Sequence, residues 1–458
     1  MKPIGRSRSL IWVLLMLICS ACSVGTTTPQ AKQTERPLST VKTAINPTST
    51  LLATTQEPAQ NFTTQPADFV SGERTHYHFE IQLDYANHAL SVSETIDYTN
   101  RTGIAVNLLP ILAPPAYQPG AFVLNTFKID TTYEQTSIAY EPAQINLQLS
   151  PPLEPGESIT IALEFDLFPP EGPYSFGYTE RQLLLADWFP YVPPYHPDRG
   201  WLIHTPGAVG EFLVYDLSDF SVQLSLSGST TDLIVAASAP PIKKDSTSYQ
   251  FMAENVRNFS LAVSPEYHIT KAESGGVLVT IYTFPEHANL GRRAADLALQ
   301  AWGDFDEIFG SNPRQSVSMV EAEILDGLEC DGLFLLSDWY LKTADATPKN
   351  YFELLVVHEI AHQWLYGLVH NDQALEPWLD EALTTYSELL FLEEHHPNLV
   401  NWWWEFRVHM YEPTGAINAS IYAFSAYRPY VNAVYLRGVS FMEGLRQAVG
   451  DEAFFQFL

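Results

Sequence analysis

His358-Glu359-Ile360-Ala361-His362, followed after eighteen residues by Glu381 within Trp378-Leu379-Asp380-Glu381-Ala382, is a spacing that suits one zinc ion with a built-in base. Two histidines at i and i+4 share one face of a helix about one turn apart, so both imidazoles reach a single cation. Glu359, between them, points at the water to be activated. Glu381 supplies the third ligand from the next helix, and three protein ligands leave the open position that a hydrolytic zinc needs. With thirteen histidines in the chain the pentapeptide alone could arise from composition; the downstream acid, which helix propensity does not require, gives it meaning.

These residues need helices to carry them. Apolar spacing predicts helices near 350–366, 377–395 (opened by Pro377 in its first turn), 397–411 and 433–449, preceded by a helix over 286–309 and a strand over 316–324. From about Phe69 to Ile269 the pattern is different: His78-Phe79-Glu80-Ile81-Gln82-Leu83, Ser158 to Phe165 and Phe220 to Leu226 alternate with period two between Pro and Gly turns. The expected fold is therefore multidomain, an N-terminal all-β sandwich over 69–270 followed by a mixed α/β catalytic domain over 271–458 that is mostly helical. Asp451 would cap a helix that stops after about two turns, so the catalytic domain reads as short at its C-terminus.

The ends and the charge narrow the setting. Lys2, Arg6 and Arg8 precede an apolar run from Leu10 to Ile18, a signal-peptide pattern too short to span a bilayer. Cys19-Ser20-Ala21-Cys22 resembles a bacterial lipoprotein processing site over residues 1–22, with Cys19 where leucine is usual; it implies a lipid anchor on Cys22 at the extracytoplasmic face of the cell membrane, the alternative being plain secretion. Residues 23–68, rich in Thr, Pro, Ser, Ala and Gln, cannot bury a core and read as a disordered linker. A formal charge of −29 argues against nucleic acid. From Lys271 onward 27 acids face 10 lysines and arginines, which would steer in a cationic substrate end or serve solubility. After processing, Cys330 is the only cysteine left, so no disulfide framework is available.

His358-Glu359-x-x-His362-Gln363-Trp364, Val369, Trp378-Leu379-x-Glu381-Ala382 and Tyr386 resemble the zinc aminopeptidases related to aminopeptidase N, in the gluzincin group. The resemblance implies a thermolysin-like catalytic domain with one Zn2+ ion. Ala186-Asp187-Trp188-Phe189-Pro190 and Asn258 to Ser264 are similar to stretches of that family's β domain. Gly327-Leu328-Glu329-Cys330 takes the place of the family's exopeptidase motif, with Leu328 for methionine and Cys330 for asparagine. By this resemblance Glu329 binds the free α-amino group of the substrate. Val434-Tyr435-Leu436-Arg437-Gly438 matches the segment whose tyrosine stabilises the oxyanion, which makes Tyr435 catalytic beside Glu359.

The expected activity is removal of N-terminal residues from peptides with free N-termini; a zinc endopeptidase of the same fold and an inactive tethered peptide-binding protein stay open. Thr385 and Asp380 are candidates to orient a ligand. Trp402-Trp403-Trp404 reads as a wedge between packed elements, and His395-His396 as a solvated helix end. The preferred N-terminal residue, the physiological substrate and the oligomeric state are not legible.

Overall fold

In the computed structural model the described residues are 74–458, without 131–133, 142 and 230. The expected leader over 1–22 with its Cys22 anchor, and the linker over 23–68, lie outside the described residues. Among those described, no helix is long and apolar enough to cross a membrane.

Alternation of side chains builds the first region. Tyr77, Phe79, Ile81 and Leu83 face inward from Thr75–Asp84, and Ile159, Ile161, Leu163, Phe165 and Leu167 from Ser158–Leu167, because successive strand residues point to opposite faces. Both belong to a seven-stranded sheet in the order Pro241–Lys244, Ser248–Val256, Ser218–Ser227, Thr75–Asp84, Ala89–Thr99, Ser158–Leu167, Phe122–Ile129. Thr75–Asp84 runs parallel to Ser218–Ser227, with Phe79 opposite Val222. A three-stranded sheet (Val106–Leu112, Gln144–Leu153, Glu134–Glu141) and a four-stranded one (Ile234–Ala237, Leu261–Ser264, Leu183–Leu185, Phe176–Tyr178) accompany it. Their buried residues join those of the large sheet in one core that includes Trp188, Phe189 and Tyr191.

One acid interrupts that core. Glu94 lies between Phe79 and Leu163 on neighbouring strands and is 1% exposed, and neither carboxylate oxygen has a hydrogen-bond partner. Burial holds its pKa well above the ordinary 4.5.

A further sheet, five-stranded, begins at His268. His268–Ser274 and Val277–Thr283 are antiparallel, Ser316–Ala322 and Leu333–Ser337 continue in parallel, and Gly327–Cys330 closes the edge antiparallel to Leu333–Ser337. Helix α1 (Ala288–Phe309) makes the crossover and covers one face, with Ala294, Ala298, Ala301, Trp302 and Phe305 buried at helical spacing. Alternation divides the sheet. Met319, Phe334 and Leu336 face α1, while Val320, Leu333 and Leu335 meet Leu184, Ala236 and Ala262 of the four-stranded sheet.

Helix α2 (Asp338–Thr343) is capped by the Ser337 hydroxyl. The expected helix over 350–366 is α3 (Tyr351–Ala361), and it ends early. The carbonyls of His362 and Trp364 accept from amides five residues on, Gly367 and Val369, so the chain widens into broader turns. A Cβ on Gly367 would stand 2.6 Å from the Gln363 carbonyl oxygen, and glycine avoids that clash. Helix α4 (Trp378–His395) has Pro377 at its N-cap rather than in its first turn. The expected helix over 397–411 is broken into 3-10, α, π and 3-10 turns, and that near 433–449 opens as a π turn, Asn432–Leu436, before Arg437–Val449.

Three side chains differ from expectation or settle it. Asp451 caps nothing: it begins Asp451–Phe457 and pairs with Arg446 at 2.9 Å. His395 is not a free solvated group, since its Nε2 meets Asp304 of α1 at 2.7 Å. Trp403 is fully buried as the wedge, flanked by partly buried Trp402 and Trp404.

Replacing Glu94 by leucine removes a buried, unpaired acid and should stabilise the protein by about 1–3 kcal/mol near pH 5. The gain should grow above pH 4.5, because the unfolded chain then loses a proton that the folded chain retains, so the parent's stability falls with rising pH. Urea unfolding at pH 5 and pH 8 checks this; a gain that shrinks at pH 8 contradicts it.

Candidate active site

Helix α3 is apolar on nearly all sides and ten of its eleven residues are buried, so it can lie only inside the molecule. The Asn350 side chain caps it by accepting from the Glu353 amide at 3.2 Å. His358 sits on its last full turn. His362 follows the final helical residue but keeps the helical step, its amide donating to the His358 carbonyl at 3.2 Å.

The two Nε2 atoms are 3.2 Å apart. Oε2 of Glu381, from the first turn of α4, lies 3.4 Å from that of His358 and 3.7 Å from that of His362. All three residues are buried, and Glu381 Oε2 and Glu359 Oε2 have no hydrogen-bond partner. Two imidazole nitrogens and an orphaned carboxylate oxygen so close together are a donor set that fits zinc.

Each histidine is held from behind. His362 Nδ1 faces the Leu365 carbonyl at 3.3 Å. His358 Nδ1 meets Glu388 Oε1 at 3.2 Å, and Glu388 in turn accepts from Arg407 Nη2 at 2.9 Å and Trp403 Nε1 at 3.0 Å. A carboxylate behind a histidine fixes the ring and its tautomer. Sequence reasoning missed Glu388. Its signal was present: an acid two helical turns after Glu381, directly before the apolar run Leu389 to Leu392. The residues named instead act on the backbone, Thr385 Oγ1 donating to the Glu381 carbonyl at 2.6 Å and Asp380 Oδ1 accepting from the Glu381 amide at 2.9 Å.

Burial and charge tune these groups. Burial alone would lower the pKa of His358, but the Glu381 and Glu388 carboxylates raise it to about 9. Burial pushes Glu359 up to about 8 against the pull of His362 and His358. Glu381 is held low by both histidines despite its burial.

The edge strand completes one wall. Gly327 lies against Glu359: a Cβ there would stand 2.2 Å from Glu359 Oε1, so a side chain at 327 would displace that carboxylate. Glu329, two residues on, is buried and accepts from Gln373 Nε2 at 2.9 Å. Glu211 arrives from the first region, and carboxylate oxygens of Glu211, Glu329 and Glu381 all lie within 4.8 Å of one another. Burial first, then Glu329, raises the pKa of Glu211 well above 4.5. Nothing in Gly210-Glu211-Phe212 marks it in the sequence.

Tyr435 stands on the π turn Asn432–Leu436, its ring parallel to that of His358 at 6.3 Å, with Tyr430 edge-on at 5.6 Å. Burial keeps its phenol protonated and able to donate. The groups surround a cavity of about 470 Å³ that reaches His358, Glu359, His362, Glu381, Glu329 and Tyr435. The first region also braces the turn after His362. The buried Arg257 donates to the Tyr366 carbonyl at 2.6 Å and the Leu368 carbonyl at 3.1 Å, and Asn258 donates to the Tyr366 hydroxyl at 2.9 Å. Trp188 Nε1 donates to the Phe259 carbonyl at 2.7 Å, joining the two stretches singled out in the β region.

Residues 326–458 match the family model described as the Peptidase family M1 domain. Endoplasmic reticulum aminopeptidase 1 of Homo sapiens is 27% identical over 138 residues, 29% of this chain and 15% of that protein. Aminopeptidase M1-D of Oryza sativa subsp. japonica is 28% identical over 142 residues, 30% of this chain and 16% of that protein. The matched stretch thus spans about 15% of the length of the first of these curated relatives. In fold, the M1 zinc metallopeptidase from Deinococcus radiodurans is similar with a TM-score of 0.58 and 18% identity, over 84% of this chain and 85% of that one. Residues 326–458 thus resemble the M1 peptidase domain in sequence, and the chain resembles an M1 zinc metallopeptidase in fold.

Proposed function

We propose that the chain is a zinc-dependent, thermolysin-like metallopeptidase that removes N-terminal residues from peptides, with one ion held by His358, His362 and Glu381. The observation that carries this reading is the juxtaposition of the donor set with Glu211 and Glu329, whose carboxylate oxygens lie within 4.8 Å of each other and of one from Glu381. When bound, zinc supplies the Lewis acidity that makes water a nucleophile near neutral pH. Glu359 takes the proton of the attacking water and passes it to the leaving amine. The Tyr435 hydroxyl donates to the developing negative charge on the scissile carbonyl oxygen. Glu329, with Glu211, holds the protonated α-amine by charge-assisted hydrogen bonds, which fixes the bond one residue in as the one cut. The names of the curated relatives support the aminopeptidase reading.

The sequence of residues 1–22 supports export and a lipid anchor on Cys22. Changing Cys22 to serine should then move the protein from the membrane fraction to the soluble one; an unchanged distribution contradicts the anchor.

Glu359→Gln should keep one zinc per chain and lose at least about 10²-fold in kcat. The parent should cleave a free-amine peptide and leave its acetylated twin intact; equal cleavage of both would point to an endopeptidase, and cleavage of neither, with zinc bound, to a binding protein. Glu388→Gln should weaken zinc binding by about 10–100-fold, measured by competition with a chelator. Unchanged affinity would remove Glu388 from the account of the site.

A further inference from the structure

The cavity wall carries two arginines, and they are not equivalent. Arg407 is buried and committed to Glu388. Arg428 is exposed at the rim, its guanidinium carbon 4.3 Å from the centroid of the Tyr411 ring, and no carboxylate among the described residues pairs with it. The Tyr411 hydroxyl shares a hydrogen bond of 3.0 Å with that of Tyr351, the first residue of α3, so the platform under Arg428 is tied to the metal-site helix. Stacking on an aromatic face holds a guanidinium in place while leaving its N–H fork free. Among the described residues of this wall it is the one arginine without a carboxylate partner, and the acids that share the cavity are Glu211, Asp326, Glu329, Glu359 and Glu381.

On the proposed function the edge strand orients the substrate. Glu329 marks the amine end, and Gly327 lies beside Glu359, where the bond is cut. Asp326, one residue further, accepts a hydrogen bond from the Tyr427 hydroxyl, and Tyr427 directly precedes Arg428. The contact sets the segment of Arg428 at the end of the strand away from Glu329, which on the proposed function is the leaving side of the scissile bond. At about 3.3 Å per extended residue, the stretch from Glu329 to Asp326 corresponds to a substrate of two or three residues.

Resting on the aminopeptidase reading, we propose that Arg428 selects substrates with a carboxylate just beyond the scissile bond. That carboxylate is either the free C-terminus of a di- or tripeptide or an acidic side chain in a longer one. The acidic end of the cavity takes the ammonium and Arg428 takes the anion, so the site reads both ends of a short zwitterionic peptide.

The test is kcat/KM of the zinc-loaded full chain on Leu-Gly-Gly as free acid and as C-terminal amide, and on amide-capped tetrapeptides with Glu or Gln at the third position. The parent should prefer the carboxylate by about fivefold or more in at least one pair, through KM, and the preference should shrink in 0.5 M salt. Arg428→Met should bring the ratio to about one, and Arg428→Lys, which keeps the charge without the planar fork, should leave an intermediate value. The pair that shows the preference identifies the source of the carboxylate. Cleavage with no preference in either pair, or a preference that survives Arg428→Met, overturns the proposal and leaves the aminopeptidase reading intact. Cleavage of none of the four peptides overturns that reading and the proposal together.

Discussion

Carboxylates buried without a permanent cation are the constraint on which the region around α3 depends. An ionised acid taken out of water must be paired or it gives up its charge. Glu388 is paired inside the chain, by Arg407 and Trp403, and is therefore a fixed part of the frame. Glu381 has only two histidines at distances too long for good hydrogen bonds, and Glu329 has only an amide. Glu211 has its pKa driven up by burial and by Glu329. These are the groups to which the proposed function assigns a metal ion at one point and a substrate ammonium at another.

The fold serves this by surrounding α3 on every side. The sheet face lined by Met319, Phe334 and Leu336 packs with α3 and α1 in one core, and the four-stranded sheet covers the other face through Val320 and Leu335. Because that contact is apolar and continuous, the first region can reach across it with polar groups. Arg257 and Asn258 brace the turn after His362, and Glu211 enters the cavity itself. The β region is thus a wall of the site as well as a scaffold.

The sequence disclosed most where a local period or a fixed spacing was enough. His358, Glu359, His362 and Glu381 converge in space as the i, i+4 spacing and the following helix require, and strands such as Thr75–Asp84 and Ser158–Leu167 follow from alternation. Residues that act through tertiary contact were hidden. Glu211 and Arg257 belong to loops whose partners lie more than a hundred residues away, and no period marks them. Helix ends and interruptions were also hidden, for a related reason. The widening after Ala361 and the π turn under Tyr435 are set by packing against neighbours, and propensity does not register that.

Zinc K-edge X-ray absorption on the full chain, loaded with one equivalent of metal, tests the donor set most directly. His358, His362 and Glu381 predict light-atom ligands only, two imidazole nitrogens and one carboxylate with a solvent oxygen, at about 2.0–2.2 Å. A sulfur shell near 2.3 Å, which would bring in Cys330, or the absence of any bound ion, would contradict it.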